Sequence, residues 1–173
     1  MLPSLSFVLG GAASGKSVFA ENLIVNSGLK PVYVATARIW DDEIKKRVDV
    51  HKDRRSDAWT TIEATHDLAP ALRDLGPDSA VLIDCATMWL TNHLMDRSEL
   101  SDAQAALVDA LDHSAAHIVI VSNELGQGIV PADPESRAFR EAQGRLNIAL
   151  AQQADLVVQV VVGLPNVLKG SLP

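Results

Sequence analysis

One segment near the start of the chain has residue types suited to binding phosphate. Residues 10–17 read GGAASGKS and match the pattern G-x-x-x-x-G-K-[ST] in full. In this pattern the glycines let backbone N–H groups point at nucleotide phosphates, the lysine reaches the β- and γ-phosphates, and the last hydroxyl can ligate Mg²⁺. An apolar run precedes the segment and a helix-forming run follows it, as this mechanism requires. The predicted loop consists of Gly10, Gly11, Ala12, Ala13, Ser14, Gly15, Lys16 and Ser17.

A carboxylate partner for the magnesium ion is expected at the end of another parallel strand. Asp84 directly follows the apolar run AVLI and is similar to a Walker B aspartate. The alternative is an aspartate that caps the next turn, and one residue can serve both purposes. Ser17 and Asp84 are therefore the predicted Mg²⁺ ligands.

A histidine lies inside the most basic part of the chain. Residues 45–55 contain six basic and two acidic residues, although the whole chain has a net charge of −7. Neighbouring cations favour the neutral form of an imidazole such as that of His51, which can attack phosphorus and hold a nucleotidyl group. The flanking Lys52, Arg54 and Arg55 can stabilise charge on that phosphate. On spacing alone, a solvated histidine at a helix end explains the same residues. The other four histidines show no metal-ligand spacing, so we predict no zinc site.

Composition limits the classes of protein to which the chain can belong. The 173 residues are 47% hydrophobic, which indicates a single cored domain over residues 1–173. Its one cysteine allows no intrachain disulfide and fits a reducing compartment. The negative charge argues against a nucleic-acid partner. We find no signal peptide or membrane span in the sequence, and we predict a cytoplasmic location.

Strand-like and helix-like segments alternate along the sequence, which predicts an α/β fold with a mostly parallel sheet and helices on both faces. Strands are predicted at residues 6–9, 31–36, 80–83, 117–122 and 156–162, the last of these being the final strand. Helices are predicted at residues 16–27 (ended by Gly28), 41–53, 68–75, 88–96, 101–114 and 135–154. These elements place the predicted loop between the first strand and the first helix.

Six motifs in order resemble the adenosylcobinamide kinase/guanylyltransferase family of cobalamin biosynthesis. They are GGAASGKS, YVATA, DDEIKKRVDVHKDRRSDAWTTIEA, LIDCATMWLTN, VSNELGQGIVP and RLNIALAQQADLVVQVVVGLPNVLKG. The resemblance runs from about Phe7 to Lys169, and six motifs in register are far more specific than a phosphate loop alone. It implies a RecA-like P-loop fold and homo-oligomers, reported for the family as trimers.

The resemblance also implies two reactions on one chain. In the first, ATP or GTP phosphorylates the aminopropanol hydroxyl of adenosylcobinamide. In the second, GTP guanylylates an enzyme histidine, and the GMP passes to adenosylcobinamide phosphate to give adenosylcobinamide-GDP. The family's modified histidine matches His51, which overrides the interpretation as a solvated histidine. The implied partners are the nucleoside triphosphate and adenosylcobinamide, with Mg²⁺ as cofactor.

Further site residues follow from the same resemblance. Glu63 lies where its carboxylate can accept hydrogen bonds from a guanine edge. Glu124 either helps to orient substrate or is a turn residue. The positions that the resemblance assigns to nucleotide contacts outside the loop are Ala35, Thr36, Ala37, Lys52, Asp53, Arg54, Arg55, Glu63 and Asp84.

The sequence departs from the family at two places. Ala13 and Val18 replace usual arginines beside the conserved part of the loop, which removes two cations but leaves Lys16 and Ser17 intact. A monofunctional P-loop small-molecule kinase would need the same loop and Asp84 but not His51, and it is the main alternative. A GTPase switch would need D-x-x-G and N-K-x-D, whereas the corresponding stretches read DCAT and SNEL.

Overall fold

The computed structural model describes residues 1–39 and 55–173, and these residues form one seven-stranded sheet with five helices. The strands are β1 (Leu5–Gly10), β2 (Lys30–Ala35), β3 (Thr60–Glu63), β4 (Ser79–Asp84), β5 (His117–Asn123), β6 (Leu156–Val161) and β7 (Leu164–Lys169). The helices are α1 (Lys16–Ser27), α2 (Ala69–Arg73), α3 (Ala86–Met95), α4 (Leu100–Asp112) and α5 (Pro134–Gln153).

The strand order is β3-β2-β4-β5-β1-β6-β7. The first six strands in this order are parallel, whereas β7 pairs with β6 in the antiparallel direction. Strand β5 therefore separates β1, which leads into the phosphate loop, from β4, which ends at Asp84. The carboxyl ends of parallel strands meet at one edge of the sheet, so the sequence motifs that follow β1, β2, β3 and β4 converge there.

Side chains alternate between two buried cores, one on each face of the sheet. Helix α1 covers one face, where Ala20 and Ile24 pack against β-strand residues such as Val8 and Leu82. The larger core on the other face lies under the remaining helices and includes Trp89, Leu107 and Leu150 among its helical contributions. Central strands such as β4 are buried on both sides, which explains their nearly continuous apolar sequence.

Glycines at both ends of helix α1 determine where the helix begins and ends. Gly15 and Gly28 flank the helix in the left-handed conformation, with φ of 92° and 71°. The N–H of Gly28 donates to the carbonyl of Val25, so the predicted glycine C-cap is confirmed. At α5, the Asp133 side chain accepts a hydrogen bond from the N–H of Ser136 at 2.7 Å, which caps that helix.

The structure corrects the predicted elements at two places. Strand β3 was not predicted, so residues 80–83 belong to the fourth strand in chain order rather than to the third. Strand β7 follows the strand predicted to be the last. Both are edge strands with a mostly exposed surface, which removes the apolar alternation on which strand prediction depends. The other predicted elements in the described residues lie within about two residues of the observed bounds at most ends, whereas the helix predicted at 41–53 falls outside those residues.

No helix in residues 1–39 or 55–173 combines the length and the apolar character needed to cross a membrane. The α/β class with a mostly parallel sheet and helices on both faces is confirmed.

Candidate nucleotide site

The phosphate loop connects the end of β1 to the start of α1 through a tight turn. The N–H of Ser14 donates to the Gly11 carbonyl at 3.3 Å, and Ala13 adopts a left-handed conformation with φ of 55°. The Lys16 ammonium folds back over the loop and donates to the Gly11 carbonyl at 3.0 Å. The loop thus presents the N-terminal end of a helix together with one lysine ammonium, an arrangement that attracts phosphate.

Two of the loop glycines have a steric reason to be glycine. A Cβ on Gly10 would lie 2.7 Å from the Val160 carbonyl oxygen, which is backbone and has no rotamer to change. A Cβ on Gly15 would approach the Cα of Gly163 to 3.1 Å, and the φ of 92° at Gly15 disfavours side chains in any case. The chain can therefore pass close to β6 and its following turn only because these side chains are absent.

Lys16 and Asp84 lie near one another at the site. Burial lowers the pKa of Lys16 below its usual value, and the proximity of Cys85 and Asp84 offsets part of that shift. Lys16 belongs to α1 and Asp84 ends β4, so two separate elements bring a cation and an anion to the same edge of the sheet. The structure thus brings the lysine of the predicted loop near Asp84, one of the two predicted Mg²⁺ ligands.

Asp84 is held by a tyrosine that sequence reasoning missed. The Tyr33 hydroxyl donates a hydrogen bond to the Asp84 carboxylate at 3.1 Å. Burial and the Asp84 charge raise the pKa of Tyr33, so the phenol keeps its proton and remains a donor. Cys85 occupies the N-cap position of α3, and its side chain makes no cap hydrogen bond.

Arg55, the last residue of the basic run at residues 45–55, also lies at this edge of the sheet. The Arg55 guanidinium carbon lies 3.4 Å from the centroid of the Tyr33 ring, in a cation–π arrangement. Because the hydroxyl of the same tyrosine donates to Asp84, Arg55 lies at the carboxyl edge of the sheet, near this predicted magnesium ligand. The other predicted residues of this run, namely His51, Lys52, Asp53 and Arg54, lie outside the described residues.

The register of the sheet brings three further predicted residues together. Ala35 pairs with Glu63 on one side and with Asp84 on the other. The carboxylate of Glu63 therefore belongs to an exposed residue at the same edge, one strand beyond Ala35. Ala37 lies two residues after Ala35 in the chain and is half-buried. The strand pairing brings Ala35, Glu63 and Asp84 to the same edge of the sheet.

Thr36 serves as a structural joint between β2 and the end of β4. Its hydroxyl donates to the Cys85 carbonyl at 2.8 Å and accepts from the Cys85 N–H at 2.7 Å. Asn92 of α3 is fully buried, and its amide donates to the carbonyls of Thr36 and Thr65, both at 2.8 Å. Nothing local in the sequence marks Asn92 for this role, because its partners are far away in the chain.

Strand β5 ends beside the loop with a set of polar side chains. The N–H of Glu124 donates to the Gly10 carbonyl at 3.0 Å, which ties the strand end to the loop. The Glu124 carboxylate accepts from the N–H groups of Gly126 and Gln127 in its own turn. The turn interpretation of Glu124 therefore describes this structure. Thr87 supports the same strand end by accepting from the N–H of Asn123 at 2.9 Å.

The histidines in the described residues have other surroundings. His117 lies 3.1 Å from the Pro3 carbonyl, and His113 lies beside Asp109 on α4. His66 approaches the Asp96 carboxylate to 3.0 Å, and its ring contacts that of His93 with centroids 4.7 Å apart. Within residues 1–39 and 55–173, no group of three or more His, Cys, Asp or Glu side chains is placed to hold a metal ion.

Comparison with known proteins decides the family. A family model described as "Cobinamide kinase / cobinamide phosphate guanyltransferase" matches residues 6–168. The chain belongs to this family. A bifunctional adenosylcobalamin biosynthesis protein of Pseudomonas aeruginosa is 41% identical over 166 residues, which cover 94% of this chain and 96% of that protein. A protein of the same description from Salmonella typhimurium is 39% identical, over 91% of this chain and 95% of that protein.

The family assignment confirms the sequence-based identification of a bifunctional kinase and guanylyltransferase of cobalamin biosynthesis. It also agrees with the position of the intact phosphate loop beside Asp84. The matches cover 91% or more of this chain and 95% or more of each relative, so they extend over nearly the whole of both chains.

Solved structures with low sequence identity support the fold. The RadB recombinase has a TM-score of 0.50 at 15% identity, covering 91% of this chain and 74% of that chain. An ATPase from a bacterial type III secretion system has a TM-score of 0.53 at 11% identity, covering 96% and 57%. A Pyrococcus horikoshii protein, PH0250, reaches 0.58 at 10% identity, covering 98% and 87%. The expectation of a RecA-like P-loop fold is confirmed.

Proposed function

We propose that this chain phosphorylates the aminopropanol hydroxyl of adenosylcobinamide with ATP or GTP. In a second reaction it transfers GMP from GTP, through a guanylyl-histidine on His51, to adenosylcobinamide phosphate. One observation supports this proposal most directly: Lys16 of a complete phosphate loop lies beside Asp84 in a member of this family.

In the phosphoryl-transfer step, the acceptor hydroxyl oxygen forms a bond to the γ-phosphorus. The bond from that phosphorus to the β–γ bridging oxygen breaks, the nucleoside diphosphate leaves, and the hydroxyl proton is released. The Lys16 ammonium and the loop N–H groups stabilise the charge on the transferred phosphoryl group and on the leaving oxygen. Lys16 donates to the Gly11 carbonyl, and contact with phosphate would exchange that hydrogen bond for one to a phosphate oxygen.

The residues at the loop suit a magnesium ion. Ser17 lies in the first turn of α1 and Asp84 ends β4, so a hydroxyl and a carboxylate oxygen come from the two elements that flank the phosphates. Oxygen donors of this kind are the ones that Mg²⁺ takes together with phosphate oxygens. When bound, the ion neutralises charge on the β- and γ-phosphates. Tyr33 orients the Asp84 carboxylate through its hydrogen bond and remains protonated while it does so.

In the guanylyl-transfer step, an imidazole nitrogen of His51 attacks the α-phosphorus of GTP and pyrophosphate leaves. A phosphate oxygen of adenosylcobinamide phosphate then attacks the same phosphorus, and the P–N bond breaks. His51 and Arg55 are four positions apart in the sequence, and four residue steps span at most about 14 Å. Arg55 packs on the Tyr33 ring, whose hydroxyl bonds Asp84, and this contact supports a position of the basic run near the nucleotide. We propose that Lys52, Asp53, Arg54 and Arg55 contact the nucleotide.

Recognition of guanine in this second step is assigned to the β2–β3 side of the site. Glu63 is exposed at the end of β3 and pairs in register with Ala35. Its carboxylate can accept hydrogen bonds from the N–H groups on one edge of guanine, which adenine lacks at the same positions. Ala35, Thr36 and Ala37 border the same site, where their backbone comes close to the nucleotide.

The decisive experiment uses GTP labelled at the α-phosphate, with Mg²⁺ and the wild type, His51→Ala or His113→Ala. We expect label on the wild type and on His113→Ala, stable to alkali and released by acid, because a phosphoramidate has this behaviour. His51→Ala should carry no label. His113 is an exposed histidine near the end of α4 and serves as the matched control.

A parallel assay with γ-labelled ATP tests the first reaction independently. His51→Ala should still phosphorylate adenosylcobinamide, whereas Lys16→Met should lose about 10²-fold or more of that rate. If the wild type phosphorylates the acceptor but never gains α-label, the chain is a monofunctional kinase. If it does neither, the proposal is wrong.

We further propose that the chain self-associates, as the family resemblance implies a trimer. Strand β7 is exposed along its whole length and, within the described residues, pairs with a strand on only one side. Leu168 and Leu172 add exposed apolar side chains at this edge. An apolar edge strand that pairs on only one side invites contact with another chain. In a closed trimer this edge would contact a different surface of the next copy, because pairing of the same edge in two copies would give a dimer.

Light scattering during size-exclusion chromatography tests this surface. We expect a trimer for the wild type and for Ile148→Lys, a substitution at an exposed residue of α5, and a smaller species for Leu168→Lys. A wild-type monomer would refute self-association, and a trimer in both variants would refute the role of β7. We place the protein in the cytoplasm, as the sequence composition predicts.

A further inference from the structure

The turn between β6 and β7 lies directly against the phosphate loop. The N–H of Gly163 donates to the Ser14 carbonyl at 2.8 Å. The Cα of Gly163 also lies so close to Gly15 that a Cβ there would approach it to 3.1 Å. A residue of this turn is therefore a neighbour of any nucleotide held by the loop, although the two segments are about 150 positions apart in the sequence.

This turn exposes large apolar side chains next to an anion-binding loop. Val162 is 83% exposed and Leu164 is 68% exposed, with Val161 beside them at 51%. Val162 also has a left-handed backbone with φ of 48°, which is unusual for a β-branched residue. Costly conformations of this kind persist where the surroundings fix them, and they cluster at ligand sites. The combination marks the turn as a candidate contact surface.

The strand order indicates which part of a nucleotide reaches this turn. Asp84 of β4 and the end of β5 lie on one side of β1, and β6 with its turn lies on the other side. In a phosphate loop the terminal phosphates face the magnesium ligands. In the phosphoryl-transfer step the γ-phosphate therefore faces Asp84. The nucleoside then lies on the opposite side of the loop, toward residues 161–164.

We propose that the turn at residues 161–164 is the surface on which the purine ring packs when a nucleoside triphosphate serves in the phosphoryl-transfer step. This inference rests on the proposed function of the loop. The four residues, VVGL, carry no polar side chain, and the N–H of Gly163 is already used by Ser14. The surface therefore recognises the apolar ring faces that adenine and guanine share, and it does not distinguish ATP from GTP.

The two sides of the loop then have different roles. On the β2–β3 side, Glu63 provides a carboxylate that can read a guanine edge, which suits a guanylyl transfer restricted to GTP. On the β6–β7 side, the apolar turn accepts either purine. Under this proposal the triphosphate runs along the loop in opposite directions in the two reactions, which puts the base on a different side of the loop in each.

The test compares ATP with inorganic tripolyphosphate, which has the phosphates but no base. Calorimetric titrations in the presence of Mg²⁺ are made with the wild type, Val162→Asn and Val25→Gln. Asparagine tolerates the left-handed conformation, so Val162→Asn changes the side chain and keeps the turn. Val25 is an exposed apolar residue in the last turn of α1, far along the helix from the loop, and provides the control.

We expect Val162→Asn to weaken ATP binding about tenfold, in line with the loss of one well-buried apolar contact. Tripolyphosphate binding should not change, and Val25→Gln should behave like the wild type. If Val162→Asn and Leu164→Asn both bind ATP as the wild type does, the base lies elsewhere and the inference is overturned. Equal weakening of ATP and tripolyphosphate also overturns it, because the turn would then only support the loop. If the wild type binds neither compound, the loop assignment itself fails.

Discussion

The Thr36 hydroxyl both donates to and accepts from the backbone of Cys85, at 2.8 and 2.7 Å. Thr36 is fully buried and directly follows β2, whereas Cys85 directly follows β4. A single side chain thus satisfies the N–H and the carbonyl of the residue next to Asp84. The position of the Asp84 carboxylate therefore depends on a threonine 48 positions earlier in the sequence.

Replacement of Thr36 by valine should lower the free energy of unfolding by about 2 kcal/mol, because the Cys85 N–H loses its partner and the Cys85 carbonyl keeps only the Trp89 N–H as a donor. Valine keeps the shape of the side chain, so the loss is due to the hydroxyl. Chemical denaturation measures the change, and Thr36→Ser should recover most of the stability. Equal stability of Thr36→Val and the wild type would show that water or another group replaces the hydroxyl.

Triphosphate binding should weaken at alkaline pH through the titration of Lys16. Its pKa is lowered by burial, so the ammonium loses its proton below the usual value of 10.5 as the pH rises. Tyr33 and Cys85 have raised pKa values and do not titrate before it. We expect the Kd of tripolyphosphate to increase with an inflection below pH 10.5. The profile of Lys16→Arg should lack that inflection, and an inflection that persists in this variant would assign it to another group.

His93 should make the protein less stable in mild acid. Burial and the nearby His66 lower the pKa of His93, so the unfolded chain binds a proton more readily than the folded chain does. The stabilisation is fully present above the unfolded pKa of about 6.5 and is lost as the pH falls toward the lower folded value. In His93→Phe, which keeps a ring beside Trp89, the free energy of unfolding should fall less between pH 7 and pH 5. Parallel pH profiles of the two proteins would contradict this assignment.

Cys85 should be nearly inert toward alkylating reagents in the folded protein. Burial, with a further contribution from the Asp84 charge, raises the pKa of its thiol to about 12. At pH 8 the thiolate fraction is then about 10³-fold below that of an ordinary cysteine. Mass spectrometry after treatment with iodoacetamide should show little labelling of the native chain and rapid labelling in urea. Because the chain has one cysteine, the signal has a single source.

The sequence alone was sufficient for the phosphate loop and the helix that follows it. The pattern at residues 10–17 specifies a backbone shape as well as side chains, and Gly28 marks the helix end by its freedom to adopt a positive φ. Asp84 could be placed because a strand buried on both faces has a continuous apolar sequence that ends there. In each case the information is local in the chain.

The edge strands could not be predicted because their stabilisation is not local. In β3, only Ile62 is even partly buried, and β7 contains a proline and an asparagine and is exposed throughout. Each of them forms a strand because it pairs with a neighbour, β2 or β6, that was itself recognisable. Hydrogen bonds between backbones do not depend on residue type, so these strands leave little trace in the sequence.

The polar joints of the site were missed for a related reason. Asn92 and Tyr33 look like a helix residue and a strand residue, and nothing nearby in the sequence shows that they bond Thr36 and Asp84. The role of His51 remains a prediction from family resemblance, because it lies outside the described residues. The chemistry of the loop is thus encoded locally, whereas the support of its partner residues depends on the tertiary fold.

The position of β5 between β1 and β4 has a consequence for the evolution of the site. Neighbouring strands lie about 4.8 Å apart, so two strand spacings set about 10 Å between the strand that feeds the loop and the strand that carries Asp84. Backbone hydrogen bonds maintain this separation, and almost every residue type can supply them. Core side chains of β5 can therefore change among homologues at some cost in stability, while the gap that receives the phosphates keeps its width.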